Sequence, residues 1–141
     1  MKNSKRKLRA YILPSITGRG WRWILLLLLL VVACDKPDTP QQAAEQYYGY
    51  LIKGDAEAYV RHIHDYDDMS DEYRSQLRDM LLQYIDHERR EHGGLLSAKA
   101  VRDTLVDSLH AHVFLDILFG DSTCEQVSLP LVRTEKGWMM K

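Results

Sequence analysis

The chain has few cysteines and no surplus of charge of either sign. Cys34 and Cys124 are the only cysteines among 141 residues, and 19 lysines and arginines stand against 20 aspartates and glutamates, a formal net charge of −1. The fold therefore cannot depend on a network of disulfides. A near-neutral chain also lacks the basic surplus of a typical nucleic-acid-binding protein. The sequence contains no Gly-rich phosphate-binding loop and no nucleophile elbow, which removes two common kinds of enzyme site.

Acidic residues are absent from the first 33 positions, which contain seven basic ones. An uninterrupted apolar run, residues 23–33, follows the basic segment and leads directly to Cys34. A helix that crosses a bilayer needs about 20 apolar residues, so a run of half that length is typical of a secretory signal. The alternative is an uncleaved N-terminal membrane anchor. The remaining 108 residues keep 12 basic and all 20 acidic residues, a formal charge of −8, which further disfavours nucleic acid as a partner.

The residues at the end of this run, Val31-Val32-Ala33-Cys34, resemble the lipobox of bacterial lipoproteins. The resemblance implies cleavage between Ala33 and Cys34 and a diacylglycerol thioether on Cys34, detectable as palmitate incorporation. Several acyl chains anchor a protein stably, whereas one binds reversibly. We therefore predict a signal peptide at 1–33, a lipidated tether at 34–39 and a folded domain at 40–141, held on a membrane of the bacterial cell envelope. A lipid on Cys34 would leave Cys124 without an intrachain disulfide partner.

Three helices are predicted in the first half of the domain. The first has Thr39 as N-cap, Pro40 at its first position and Gln42 able to complete a capping box. The other boundaries are set by capping chemistry at Gly54, Asp55, Ser70 and Gly93-Gly94. The third helix is the longest, and its apolar stripe has helical spacing: Tyr73, Leu77, Met80, Leu81, Tyr84 and Ile85.

After this glycine pair the apolar period changes from helical to alternating. Residues 95–106 predict a first strand with imperfect alternation, and residues 127–131 and 138–140 predict a third and a short fourth. The second strand has the cleanest alternation: Leu109, Ala111, Val113, Leu115 and Ile117. Three helices followed by about four strands predict an α+β domain with the helices on one face of an antiparallel sheet.

The order of these elements, with the motif Tyr47-Tyr48-Gly49-Tyr50-Leu51-Ile52-Lys53-Gly54-Asp55 and a closing Gly137-Trp138, resembles the nuclear transport factor 2-like (NTF2-like) superfamily. More narrowly, the chain is similar to small bacterial lipoproteins of that fold. The resemblance implies a cone-shaped domain whose curved sheet and helices enclose a pocket. Some members use this pocket for catalysis and many only for binding, so the fold does not settle the function. No residue here matches the catalytic motif of the ketosteroid isomerases in that superfamily.

Two groups of side chains are candidates for the lining of such a pocket. Helical stripes contribute tyrosines, whose rings are apolar and whose hydroxyls need a partner when buried: Tyr47, Tyr50, Tyr59, Tyr73 and Tyr84. The second strand contributes His110, His112 and Asp116 from the face opposite its apolar residues. These three could form part of a zinc site, but exposure to solvent is the favoured interpretation because no further ligands stand at zinc spacing. The charged run 86–92 is likewise interpreted as a solvated face, so no metal or cofactor is expected.

Three functional hypotheses follow, one of them a structural zinc module, which would require bound metal in the purified domain. The favoured one is a non-catalytic, lipid-anchored envelope domain that binds an envelope protein or a small amphipathic ligand through its sheet face or pocket. The alternative is a small pocket enzyme of isomerase or hydrolase type, in which His110, His112, Asp116 or the tyrosines serve as acid–base groups. An enzyme requires titratable groups that converge in one concave site, so the positions of these side chains discriminate between the hypotheses.

Overall fold

The computed structural model describes residues 36–141. Contacts divide the chain after Cys34, and the described residues belong to the second unit, Asp35–Lys141. The predicted signal peptide, its cleavage position at Ala33 and the lipidated Cys34 lie outside the described residues. The predicted domain, 40–141, lies within them.

Three α-helices come first, as the sequence predicts: α1 (Pro40–Ile52), α2 (Ala56–Arg61) and α3 (Asp71–His92). A short 3-10 turn, Tyr66–Asp68, separates α2 from α3. The predicted N-caps are confirmed, because the side chains of Thr39, Asp55 and Ser70 each accept a hydrogen bond from a backbone N–H in the first turn of their helix. The predicted capping box differs in one partner, since the side-chain oxygen of Gln42 accepts from the backbone N–H of Asp38 at 3.1 Å.

Four antiparallel strands follow in the order β1-β2-β3-β4: β1 (Leu95–Leu105), β2 (His110–Phe119), β3 (Cys124–Thr134) and β4 (Gly137–Met140). Each strand pairs with its neighbour in sequence, which makes a simple meander. The segment after α2 forms an isolated β-bridge with β4. His64 donates its backbone N–H to Met140 O at 2.8 Å, and Met140 donates its backbone N–H to His62 O at 2.9 Å. The α+β architecture predicted from the sequence is therefore confirmed.

The imperfect alternation of the first strand has a structural cause. Two β-bulges interrupt the pairing of β1 with β2, one between Leu95 and Ser97 and one between Ala100 and Arg102. Each bulge inserts one unpaired residue and shifts the side-chain alternation. The inserted residues, Leu96 and Val101, are about half exposed.

The core lies between α1 and one face of the sheet, which we call the inner face. Alternate residues of β2 supply it, as predicted from Ala111 onward. Leu109 is an exception, because it precedes β2 in the hairpin loop and is 52% exposed. The small side chains of Ala43 and Ala44, both fully buried, let α1 approach the sheet closely. The opposite, outer face of the sheet carries His112 and the other even-numbered residues of β2.

The long helix α3 buries less of its predicted stripe than the sequence suggests. Ile85 is 7% exposed, whereas Tyr73 is 50% and Met80 is 57% exposed. The reason is its position: α3 packs against α2, α1 and β1, and its buried positions, Ile85 and Glu88, lie in its second half. Burial of Glu88 also corrects the prediction that residues 86–92 form a uniformly solvated face.

Candidate functional site

The outer face of the sheet holds the three candidates of β2. His110 Nδ1 lies 2.9 Å from Asp107 Oδ2 in the hairpin turn, and His112 Nδ1 lies 3.4 Å from Ser128 Oγ on β3. Asp116 accepts a hydrogen bond from Gln126 Nε2 at 2.9 Å. The three therefore share one face, as predicted, but each has its own partner.

Spacing along β2 keeps these side chains apart. A strand rises about 3.4 Å per residue, so His110 and His112 stand about 7 Å apart and Asp116 stands about 20 Å from His110. A shallow depression of about 200 Å³ lies beside the two histidines, and its other lining residues are Val106, Ala111, Pro130, Leu131 and Lys141. Asp116 does not line it. No single ligand of modest size could contact all three candidates.

Four of the predicted tyrosines fall into two groups on the helical side of the sheet, whereas Tyr73 is 50% exposed and belongs to neither. The first group joins Tyr59 and Tyr84 with Tyr48, which was not a predicted pocket residue, and we call these three the tyrosine cluster. The rings of Tyr48 and Tyr59 meet edge to face with centroids 6.4 Å apart. Burial raises the pKa of all three hydroxyls, strongly for Tyr59, and burial together with the charges of nearby Glu88 and Glu125 raises the pKa of Tyr84 to about 12.

The second group consists of Tyr47, Tyr50 and His62. The imidazole of His62 contacts both phenol rings, with centroid distances of 4.8 Å to Tyr47 and 5.1 Å to Tyr50. His62 Nδ1 is 2.7 Å from Ala58 O, and the buried hydroxyl of Tyr47 donates to the backbone carbonyl of Trp138. Burial also raises the pKa of Tyr47 to about 12.

These pKa shifts restrict what the tyrosines could do chemically. A phenol whose pKa is about 12 stays protonated at neutral pH, so Tyr47 and Tyr84 can donate hydrogen bonds but do not supply a base. The tyrosine cluster presents apolar ring surface with polar hydroxyls, which suits contact with an amphipathic group. Its three members pack against the hydrophobic core, and Glu88 and Glu125 lie near the hydroxyl of Tyr84.

An ion pair that the sequence patterns did not predict joins the end of α3 to the turn between β2 and β3. His92 Nδ1 lies 2.8 Å from Asp121 Oδ2, and the hydroxyl and backbone N–H of Thr123 both donate to Asp121 Oδ1. The partners are 29 residues apart, so no local spacing rule could pair them. The glycine pair Gly93-Gly94, which predicts the end of α3, follows His92 directly but does not indicate its partner.

This ion pair makes stability depend on pH in two directions. Hydrogen bonds from Thr123 and His92 hold the pKa of Asp121 at about 2, so its contribution is complete above the ordinary carboxyl pKa and is lost as pH falls toward 2. The bond to Asp121 raises the pKa of His92 above 6.5. Its contribution is complete below pH 6.5 and is lost as pH rises through the higher folded value. Both contributions are complete between about pH 4 and 6.5.

Within 36–141, histidine, cysteine and acidic side chains form no group of three or more that could hold a metal ion. No helix in that part of the chain combines the length and apolar character needed to span a bilayer. The free thiol of Cys124 is exposed at the start of β3.

Comparison with known proteins supports the fold. No protein-family model and no curated protein sequence matches the chain. A solved structure from Campylobacter jejuni, described as a putative NTF2-like transpeptidase, superposes with a TM-score of 0.59 at 18% identity and covers 72% of this chain and 96% of its own. At this identity the likeness concerns the fold alone. The domain therefore has the NTF2-like α+β fold that its sequence resembles.

Proposed function

We propose that this chain is a bacterial cell-envelope lipoprotein, anchored through Cys34, whose NTF2-like domain is a non-catalytic binding domain. The observation that carries the anchor is the basic leader followed by a short apolar run that ends in Val31-Val32-Ala33-Cys34. The structural support comes from residues 36–141, where the first helix begins at Pro40, six residues after Cys34, so a processed chain would keep every element of the described domain.

The anchor is tested by replacement of the cysteine. Cys34→Ser should abolish incorporation of radioactive palmitate and shift the mature protein out of the membrane fraction. Cys124→Ser is the matched control, because it removes the other thiol, which is exposed in the folded domain, and should leave labelling unchanged. Palmitate incorporation that persists in Cys34→Ser would contradict the lipoprotein proposal.

The non-catalytic part of the proposal is supported by the dispersal of the titratable candidates. His110, His112 and Asp116 bond to three different partners along the outer face, and the tyrosine hydroxyls lie on the helical side of the sheet. General acid–base catalysis needs such groups within hydrogen-bond reach of one reacting atom. The described residues do not bring them together.

The outer face of the sheet is the binding surface that we favour, with an envelope protein as the partner. The helix α1 packs on the inner face, whereas the outer side chains of β2 remain partly or fully exposed. Leu118 and Phe114 provide apolar area there, and Arg102 lies over the Phe114 ring at 4.1 Å. Aromatic and arginine side chains are enriched in protein interfaces.

A photo-crosslinking amino acid at His112 tests this surface in intact cells. We expect it to capture an envelope protein, whereas the same group at Gln83, exposed on α3, should not. Equal crosslinking from both positions would indicate random collisions and would contradict a specific outer-face partner. Capture of a partner only by a crosslinker placed in the tyrosine cluster would instead favour ligand binding on the helical side of the sheet.

One observation favours the enzyme alternative. Ser128 Oγ and His112 Nδ1 are 3.4 Å apart, a serine and imidazole contact of the kind that activates a nucleophile, and the C. jejuni neighbour is named for a transpeptidase activity. A serine-reactive fluorophosphonate tests it, with Ser128→Ala as control. We expect no labelling, since both groups are exposed on an open strand surface that does not exclude water. Labelling that depends on Ser128 would establish the alternative.

A further inference from the structure

The hairpin between β1 and β2 ends in an exposed apolar surface. Leu105 and Val106 are each 62% exposed and Leu109 is 52% exposed. We call these three residues the apolar tip. Single exposed leucines are ordinary on protein surfaces, but three large aliphatic side chains within five consecutive positions form a local patch that favours burial against another surface.

The apolar tip lies at the end of the domain where the chain enters from Cys34. Lys36, Pro37 and Asp38 line a depression whose other lining residues belong to the β3–β4 turn and the strand ends beside it: Arg133, Thr134, Glu135, Gly137 and Trp138. From that turn, the backbone N–H of Arg133 donates to Leu109 O at 2.7 Å. The tip and the entering chain therefore both lie beside the same turn.

The start of α1 gives a second, independent link to this end of the domain. Gln41 Nε2 donates to Asp103 Oδ1 at 2.8 Å, two residues before Leu105 on β1. Leu105 pairs with the buried Ala111, so its side chain stands on the inner face, the face on which α1 lies. The first turn of α1 and the apolar tip are thus neighbours on one side of the sheet.

Chain length then limits how far Cys34 can be from the tip. Two residues extend at most about 7 Å, so the α-carbon of Cys34 lies within that distance of Lys36. Adjacent strands are about 4.8 Å apart, which puts Leu109 one strand spacing from Arg133 and Leu105 about two. A membrane that holds lipid attached to Cys34 would be within reach of all three apolar side chains.

The charges at this end are compatible with a lipid surface. The carboxylate of Asp107, inside the hairpin turn, accepts from the backbone N–H groups of Leu109 and His110 and contacts the His110 ring, so its charge is satisfied within the loop. The side chains beside the tip or the entering chain include three basic and three acidic ones, so their formal charges balance: Lys36, Arg133 and Lys141 against Asp38, Asp103 and Glu135. Contact with a bilayer would therefore depend on the apolar side chains and not on net charge.

We propose that the apolar tip inserts into the interfacial region of the same lipid bilayer that anchors Cys34, which fixes the orientation of the domain on the membrane. This inference rests on the proposed lipid anchor. The two contacts have different roles, because the acyl chains hold the protein on the membrane and the tip prevents free rotation about the short tether. The outer face of the sheet near its far end, at Leu118, would then face away from the lipid.

The experiment uses the full lipidated chain in vesicles of phosphatidylethanolamine and phosphatidylglycerol. Cys124→Ser removes the exposed thiol, and Val106→Cys introduces one at the tip for an environment-sensitive fluorophore. Gln83→Cys in the same background is the matched control on α3. We expect lipids with nitroxides at the headgroup–acyl boundary to quench the tip label about threefold more than the control label, because interfacial insertion reaches only that depth.

A second variant separates insertion from proximity. Leu105→Ser together with Leu109→Ser, both at exposed positions, should return the tip label to the control level of nitroxide quenching while circular dichroism stays unchanged. A tip label that aqueous iodide quenches as strongly as the control label, in a chain shown to carry lipid, would overturn this inference and leave the anchor intact. A chain that takes up no palmitate would instead overturn the proposed function itself.

Discussion

The contact between Gly93 and Gly120 fixes the end of α3 against the turn that follows β2. A β-carbon at Gly120 would lie 2.5 Å from Gly93 O and 2.9 Å from its α-carbon, distances that backbone atoms cannot accommodate without moving. Gly120→Ala must therefore separate the two segments. The separation would also weaken two hydrogen bonds across the junction, from Gly120 N to Gly94 O at 2.9 Å and from Asp121 N to His92 O at 2.8 Å.

The expected cost of Gly120→Ala follows from these contacts. Overpacking costs about 1–3 kcal/mol, and each backbone hydrogen bond contributes about 1 kcal/mol net. We expect the free energy of unfolding to fall by about 3 kcal/mol in total. For a domain of this size the midpoint of thermal unfolding would fall by on the order of 15 °C. Equilibrium urea unfolding of the chain from Asp35 onward, followed by circular dichroism, measures the change.

Gly54→Ala is the control, because this substitution introduces backbone strain without steric crowding. Gly54 has φ of +78°, but a β-carbon there meets nothing within 4 Å. Its replacement should cost only the left-handed penalty of about 1 kcal/mol. A Gly120→Ala domain as stable as the Gly54→Ala domain would refute the conclusion that the close approach at the α3 junction is a rigid contact.

Two further changes test polar contacts, the first one buried and the second one exposed. Tyr47→Phe removes the hydrogen-bond donor to the buried Trp138 carbonyl and should lower the free energy of unfolding, measured in urea, by about 1–2 kcal/mol. A stability within experimental error of wild type would show that water replaces the hydroxyl. Asp121→Asn keeps an acceptor for Thr123 but removes the charge that faces His92. The resulting loss in thermal midpoint should be largest between about pH 4 and 6.5 and smaller on either side, and a loss that does not change with pH would contradict the ion pair.

Local chemistry predicted most of the secondary structure. The N-caps at Thr39, Asp55 and Ser70 and the glycine stops act over three or four residues, so the sequence alone indicates where each helix begins and ends. The alternation from Ala111 to Ile117 likewise predicted the buried face of β2. Predictions were less accurate at Tyr73, Met80 and Leu109, because exposure there depends on how far α3 and the hairpin extend beyond the rest of the core.

The sequence by itself determined the acidic character of the domain, the order of three helices and four strands, and the shared face of His110, His112 and Asp116. Only the tertiary structure decided that these three side chains bond to separate partners, that the tyrosines divide into two groups, and that His92 meets Asp121. The physical reason is range: capping and periodicity act between near neighbours along the chain. Contacts such as His92 to Asp121, and the shared turn that joins the apolar tip to the entering chain, depend on packing between distant segments.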